Sequence, residues 1–153
     1  MKDDGLLLLL LFAYGPVKNG SCGDSGFFEK IHGFLTGEEA LRQAKKAALI
    51  KEIPMHLINA WPRLQKLAKK IRKHPLSREV VWKYINREHN RIAKDGCEVR
   101  FGIVVKINAA RKTITVVGKN KTVSFLPPFE EDLKRGDIIA FHHNWYVGPV
   151  FSA

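Results

Sequence analysis

The sequence predicts an α+β protein, with a basic helical region over residues 1–96 followed by a small five-stranded β-barrel over residues 97–153. Three observations predict it. Apolar residues recur at spacings of three and four through the middle of the chain. At Cys97 the pattern changes to short β-branched runs parted by turn residues. The 153 residues are 45% hydrophobic, enough to bury a core, yet they leave room for only one ordinary domain or two very small ones.

The first element is the leucine run at residues 6–11. Lys2-Asp3-Asp4 before it is net negative where a signal peptide carries positive charge. The apolar stretch also falls short of the ~20 residues of a membrane-spanning helix. A buried first helix is the expectation, in a cytoplasmic protein with no membrane insertion. Residues 15–26, GPVKNGSCGDSG, read as a loop because of their glycines, with Cys22 in the middle. Thr36 and Glu39 have capping-box spacing, so a helix over 38–53 is expected to stop at Pro54. Leu57, Trp61, Leu64, Ala68 and Ile71 then form one apolar stripe, with Arg63, Lys66, Lys69, Lys70 and Arg72 largely off it, and Pro62 should kink or restart that helix. Ser77 can cap a third helix, in which Val81, Ile85 and Ile92 continue the stripe until Asp95-Gly96.

Five strands are expected at 99–107, 113–117, 122–126, 138–142 and 145–150. Turns fall at residues 108–111, 118–120 and Arg135-Gly136-Asp137, and Pro127-Pro128 breaks the ladder. So many short strands in so few residues favour closure into a barrel.

The net charge is +11, and +10 of it lies between Glu38 and Lys94. Such a cationic helical surface attracts nucleic acid, anionic lipid or an acidic protein. Nucleotide hydrolysis is rejected, because Ser21-Cys22 stands where a phosphate loop needs lysine followed by serine or threonine. No HExxH and no paired Cys-x-x-Cys marks a zinc site by local spacing. His89 sits on the third helical stripe and reads as a core or interface side chain. His142 and His143, taken as neighbours on one strand, should face opposite ways, so that at most one enters a given pocket. Cys22 and Cys97 are expected as thiols or ligands in a reducing compartment. No nucleophile-elbow sequence surrounds any serine, and a catalytic role is not expected.

The barrel segment reads CEVRFGIVVKI from Cys97 and KRGDIIAFHHNWYVGPV from Lys134. Cys97, Gly102, Val104, Val105 and Ile107, then Gly136, Asp137 and His142, make it resemble the hydrogenase assembly chaperones of the HypC/HupF type. The resemblance implies that Cys97 and His142 hold an iron carrying cyanide and carbon monoxide for delivery to a hydrogenase large subunit. A soft low-spin iron prefers thiolate, and a neutral imidazole can complete the site. Arg100 or a lysine is expected to supply the positive neighbour that favours the thiolate. The chain departs from that family in one respect. There the cysteine follows the initiator methionine, whereas Cys97 follows 96 residues and has no free amine, which leaves Cys22 as a substitute partner.

FAYGPVKNGSCG from Phe12, NAWPRLQKLAKK from Asn59 and HHNW from His142 also resemble, in order, an uncharacterised prokaryotic family of which some members are encoded beside hydrogenase genes. That implies one functional surface containing Cys22, Trp61, Cys97, His142 and Trp145. The resulting expectation is a non-enzymatic accessory factor for nickel–iron hydrogenase maturation. Its metal ligands would be Cys97 and His142, with Cys22 as a further candidate. Its partner contacts, to the large subunit or other maturation proteins, would come from Trp61, Asn144, Trp145, Lys66, Lys69, Lys70 and Arg72. The alternative is an RNA- or ribosome-associated protein combining cationic helices with an oligonucleotide-binding-like barrel. A thiol or metal enzyme using Cys22 and Cys97 is a third reading.

Overall fold

A computed structural model describes residues 4–19, 25–93, 97–117, 121–126 and 133–149. Helices α1 (Asp4–Asn19), α2 (Ser25–Thr36), α3 (Glu39–His56), α4 (Ala60–Ile71) and α5 (Arg78–Lys83) lead into a π-helical turn (Tyr84–Glu88) and a last short helix, α6 (His89–Ile92). Strands β1 (Arg100–Asn108), β2 (Thr113–Val117), β3 (Lys121–Ser124), β4 (Ile138–His142) and β5 (Trp145–Pro149) follow. The chain is thus α+β with a small barrel, and the strands fall within two residues of their expected bounds.

The leucine run forms the predicted buried helix. Leu6, Leu8 to Leu11, Phe12, Ala13, Tyr14 and Val17 are all buried, because α1 is apolar around most of its circumference and is enclosed by α2, α5, β4 and β5. Gly5 permits the closest of these approaches, since a Cβ there would overlap the Leu76 carbonyl just before α5. α1 does not end at the expected loop: it continues through Gly15-Pro16 to Asn19. Cys22 lies outside the described residues.

Two helix boundaries also differ. Thr36 is the last residue of α2, not a cap for α3, and its hydroxyl donates to the His32 carbonyl one turn back. Pro54 does not stop α3, which runs to His56 with Leu57 N–H bonded to Ile53 O at 2.8 Å. A proline in the last turn removes one hydrogen bond and leaves the neighbouring ones in place. Pro62, by contrast, lies in the first turn of α4, where its missing N–H would have had no intrahelical partner. Leu64 and Ala68 form the predicted buried stripe of that helix, continued by buried Leu57 just after α3, with Trp61 and Ile71 half-buried against it.

The barrel closes in the order β1-β2-β3-β5-β4 with β4 back on β1. Its pairs are antiparallel except β3 with β5, which run parallel. Val104, Ile114, Val116, Val123, Phe125, Leu133, Ile139, Phe141 and Tyr146 fill the interior. Alternation explains why four successive residues of β4 are buried: Ile139 and Phe141 point inward, whereas Ala140 and His142 point outward and are covered by the helical layer. Helices and barrel therefore meet in one core that also includes Val99, Leu126 and Val147.

Gly102 belongs to this packing. A Cβ built on it would stand 2.8 Å from Val116 Cβ and 3.0 Å from Cγ2, on the neighbouring strand. Gly102→Ala is expected to cost about 1–3 kcal/mol as an overpacked site. A urea midpoint equal to that of the parent chain would show that β1 and β2 can part without penalty.

Candidate metal centre

Four segments meet where α1 crosses the end of the barrel. They are α1 itself, the π-helical turn and α6, the lead into β1, and the β4–β5 hairpin. Cys97 Sγ lies 3.6 Å from His142 Nε2, 3.8 Å from His89 Nε2 and 3.4 Å from His143 Nε2. The donor atoms of His89, Cys97 and His142 all lie within 4.8 Å of one another. Cys97 and His142, paired by sequence resemblance, are thus brought together from 45 residues apart.

Each of these side chains owes its place to a local irregularity. Phe12 lies four residues before Pro16, so its carbonyl meets no N–H at the position that would normally close the helical turn. His142 Nδ1 takes that carbonyl instead, at 2.7 Å. The Phe12 ring also stacks on the His142 ring, 4.4 Å between centroids and 2° between planes, and meets the His89 ring edge-on at 4.7 Å. Gly15 lets α1 come close, because a Cβ there would stand 3.0 Å from both His142 O and Trp145 Cδ1.

His89 is placed by the π-helical turn, whose wider winding closes with His89 N–H bonded to Tyr84 O. The same turn accounts for Ile92. Expected on the buried stripe, Ile92 is exposed because the extra residue in the turn rotates everything after it. His89, expected only as a core side chain, stays buried and faces the sulfur. Asn90 secures this end of the helix to the barrel: Val99 N–H donates to its Oδ1 at 2.8 Å and its Nδ2 donates to Val99 O at 3.0 Å. His89 Nδ1 lies 3.4 Å from that Oδ1.

His143 corrects a further expectation. Neighbours on a strand face opposite ways, but His143 is not on the strand. It and Asn144 form the hairpin turn, both with positive φ, at 50° and 63°. The left-handed backbone swings the His143 ring back toward the sulfur that His142 also approaches, and their ring centroids are 4.7 Å apart. His89 and His143 are the site residues that strand and helix periodicity missed. The signals were the HH-N turn pair and a histidine within hydrogen-bonding reach of Asn90, whose meaning depends on the fold.

The electrostatics single out His142. Burial, the largest influence, pushes its pKa down to about 4; the Phe12 carbonyl opposes this, His89 and His143 add to it, and the Cys97 carbonyl opposes it again. Burial likewise lowers the pKa of His89 and of His143. A neutral His142 ring has one N–H, yet Nδ1 lies 2.7 Å from Phe12 O and Nε2 lies 2.8 Å from Cys97 O. Either tautomer therefore leaves a nitrogen lone pair against a carbonyl oxygen in a buried place. A second ring proton would remove that conflict but is opposed by burial; a cation on Nε2 would remove it by taking the place of the Cys97 carbonyl, with Nδ1–H donating to Phe12 O, the usual outer support of a metal-bound histidine.

Other expected residues lie in several places. Arg100 pairs with Glu98 Oε2 at 3.3 Å. Trp145 follows the hairpin turn, edge-on to Tyr14 at 4.8 Å and with Lys18 Nζ 4.6 Å from its ring centroid. Asn144 is exposed, and its carbonyl accepts from Ser124 N–H. Trp61 packs against the helical core, while Lys66, Lys69, Lys70 and Arg72 are exposed on and just after α4. A thiolate and neutral imidazoles form a donor set suited to iron(II), cobalt(II) or zinc(II). Neither the family models, the curated proteins nor the solved structures include a significant match to this chain, so its functional assignment rests on this Cys97–histidine cluster.

Proposed function

We propose that this chain is a non-enzymatic metal-handling accessory factor that holds an iron group on Cys97, His142 and His89 and passes it to a hydrogenase large subunit during maturation. The observation that carries the metal assignment is the buried His142 ring, held between two carbonyls beside a cysteine sulfur and two further imidazoles. The choice of iron and of a hydrogenase client is supported by the resemblance of the strands around Cys97 and His142 to the assembly chaperones. Docking of a client is supported by the outer barrel face. There Phe101, Ile103 and Val105 of β1 are exposed, with Val117 and Ile138 each opposite Ile103. Lys106, and Lys134 and Arg135 in the turn bonded to Val104, border that face with positive charge. An apolar patch with an acidic rim on the client would complement it.

The test is anaerobic purification of the full chain, followed by metal analysis and infrared spectroscopy. One iron per chain with cyanide and carbonyl bands is expected, and both should disappear in a Cys97→Ser, His142→Ala double variant that keeps its circular dichroism. Bands that persist in that variant would overturn the site. A parent chain that binds iron(II), cobalt(II) and zinc(II) no better than the variant would overturn the metal function.

A second reading has an observation of its own. Lys66, Lys69, Lys70 and Arg72 are exposed together at the C-terminal end of α4, a cationic face suited to phosphate. Tight RNA binding by metal-free protein, falling steeply with added salt, would favour it.

A further inference from the structure

The sulfur of Cys97 meets three imidazole nitrogens, and the two already assigned as ligands are the two best anchored. His142 is fixed through Nδ1 to Phe12 O, and His89 stands beside Asn90, itself bonded twice to Val99. His143 is different. Among the described residues nothing anchors the far side of its ring, and it is half-buried whereas His89 and His142 are 8% and 2% exposed. It also rides on the two-residue turn between β4 and β5.

The sulfur distance suits a fourth ligand, and since His143 stands outside the trio whose donor atoms all lie within 4.8 Å of one another, its ring joins them by turning inward. With metal–sulfur about 2.3 Å and metal–nitrogen about 2.05 Å, the sulfur-to-nitrogen edge of a tetrahedral site is about 3.6 Å. The three edges from Cys97 Sγ are 3.4, 3.6 and 3.8 Å, and the shortest belongs to His143.

We propose that His143 is the exchangeable fourth ligand of this site, the position through which the metal enters and leaves. The inference rests on the metal assignment above. In transfer, the metal–nitrogen bond to His143 breaks as a bond forms to a thiolate or imidazole of the receiving protein. The metal keeps its oxidation state, His143 departs as neutral imidazole, and an incoming thiol gives its proton to solvent. Cys97, His89 and His142 retain the ion until the incoming donor is seated. The left-handed turn serves this exchange, because a short rotation of half-buried His143 and exposed Asn144 opens the site without disturbing the core.

Cobalt(II) is the probe, bound to the full chain and withdrawn by a chromophoric chelator. The parent chain should show the intense visible bands of tetrahedral cobalt and a thiolate-to-cobalt charge-transfer band. His143→Asn keeps a residue that favours the left-handed turn while removing the imidazole. It should retain the charge-transfer band, lose tetrahedral intensity, and release cobalt at least about tenfold faster. Added free imidazole should restore both the intensity and the slow release. His143→Ala should behave alike, which separates loss of the ligand from any effect of asparagine. Variants with the parent spectrum and release rate would overturn the exchangeable ligand and leave the three-residue site standing. A parent chain without the charge-transfer band, or a Cys97→Ser chain that keeps it, would overturn the metal assignment itself.

Discussion

Pro16→Ala is expected to strengthen the fold and weaken metal binding at the proposed site at once. Proline in a helix interior is less favourable than alanine by about 3 kcal/mol, and because α1 has adapted around it, a gain of about 1–3 kcal/mol in unfolding free energy is the expected result. The new N–H would compete for Phe12 O, which His142 Nδ1 now holds at 2.7 Å. Loss of such an outer contact typically weakens metal binding by about 10- to 100-fold. Urea denaturation and a cobalt(II) competition titration, run on the same preparations, measure the two effects. Opposite signs are the signature, since damage to the fold would lower both. An affinity equal to the parent's would mean that the Phe12 carbonyl does not orient the ring.

The metal-free chain should show a pH dependence of stability with a definite sign. The unfolded His142 ring titrates near its ordinary value of about 6.5, whereas in the fold it is held down to about 4. Between these values the unfolded chain binds a proton that the native chain refuses, so stability falls as the pH falls. From about pH 6.5 to about pH 4 the loss from His142 alone is about 3 kcal/mol, and above that window this group adds no further slope. His89 and His143 shift in the same direction and steepen the fall. Chelator-treated protein followed by denaturant titration at several pH values reads this directly. His142→Gln should flatten most of the slope. Bound metal should raise the stability in proportion to its affinity and occupancy, because only the native chain presents all the ligands. A flat profile in the parent chain would mean that the ring is solvated.

The barrel was legible because β-branched alternation and turn residues are local signals, and β1 to β5 follow them closely. The leucine run was equally plain, since a segment apolar on most sides has nowhere to go but the interior. Helix ends were less so. Thr36, Pro54 and Gly15-Pro16 look like punctuation in one dimension, but packing of α1, α2 and α3 outweighs a single missing or misplaced cap.

The residues by themselves determined the α+β order, the cationic helices and the buried first helix, while the pairing of Cys97 with His142 was implied only by a family resemblance. Only the tertiary structure decided that His89 and His143 join them. A π-helical turn rotates one ring, a left-handed hairpin turn redirects the other, and a proline frees a helix carbonyl 130 residues away from the histidine that takes it. None of these follows from periodicity, because periodicity describes regular backbone, and the site is assembled from the places where regular backbone gives way.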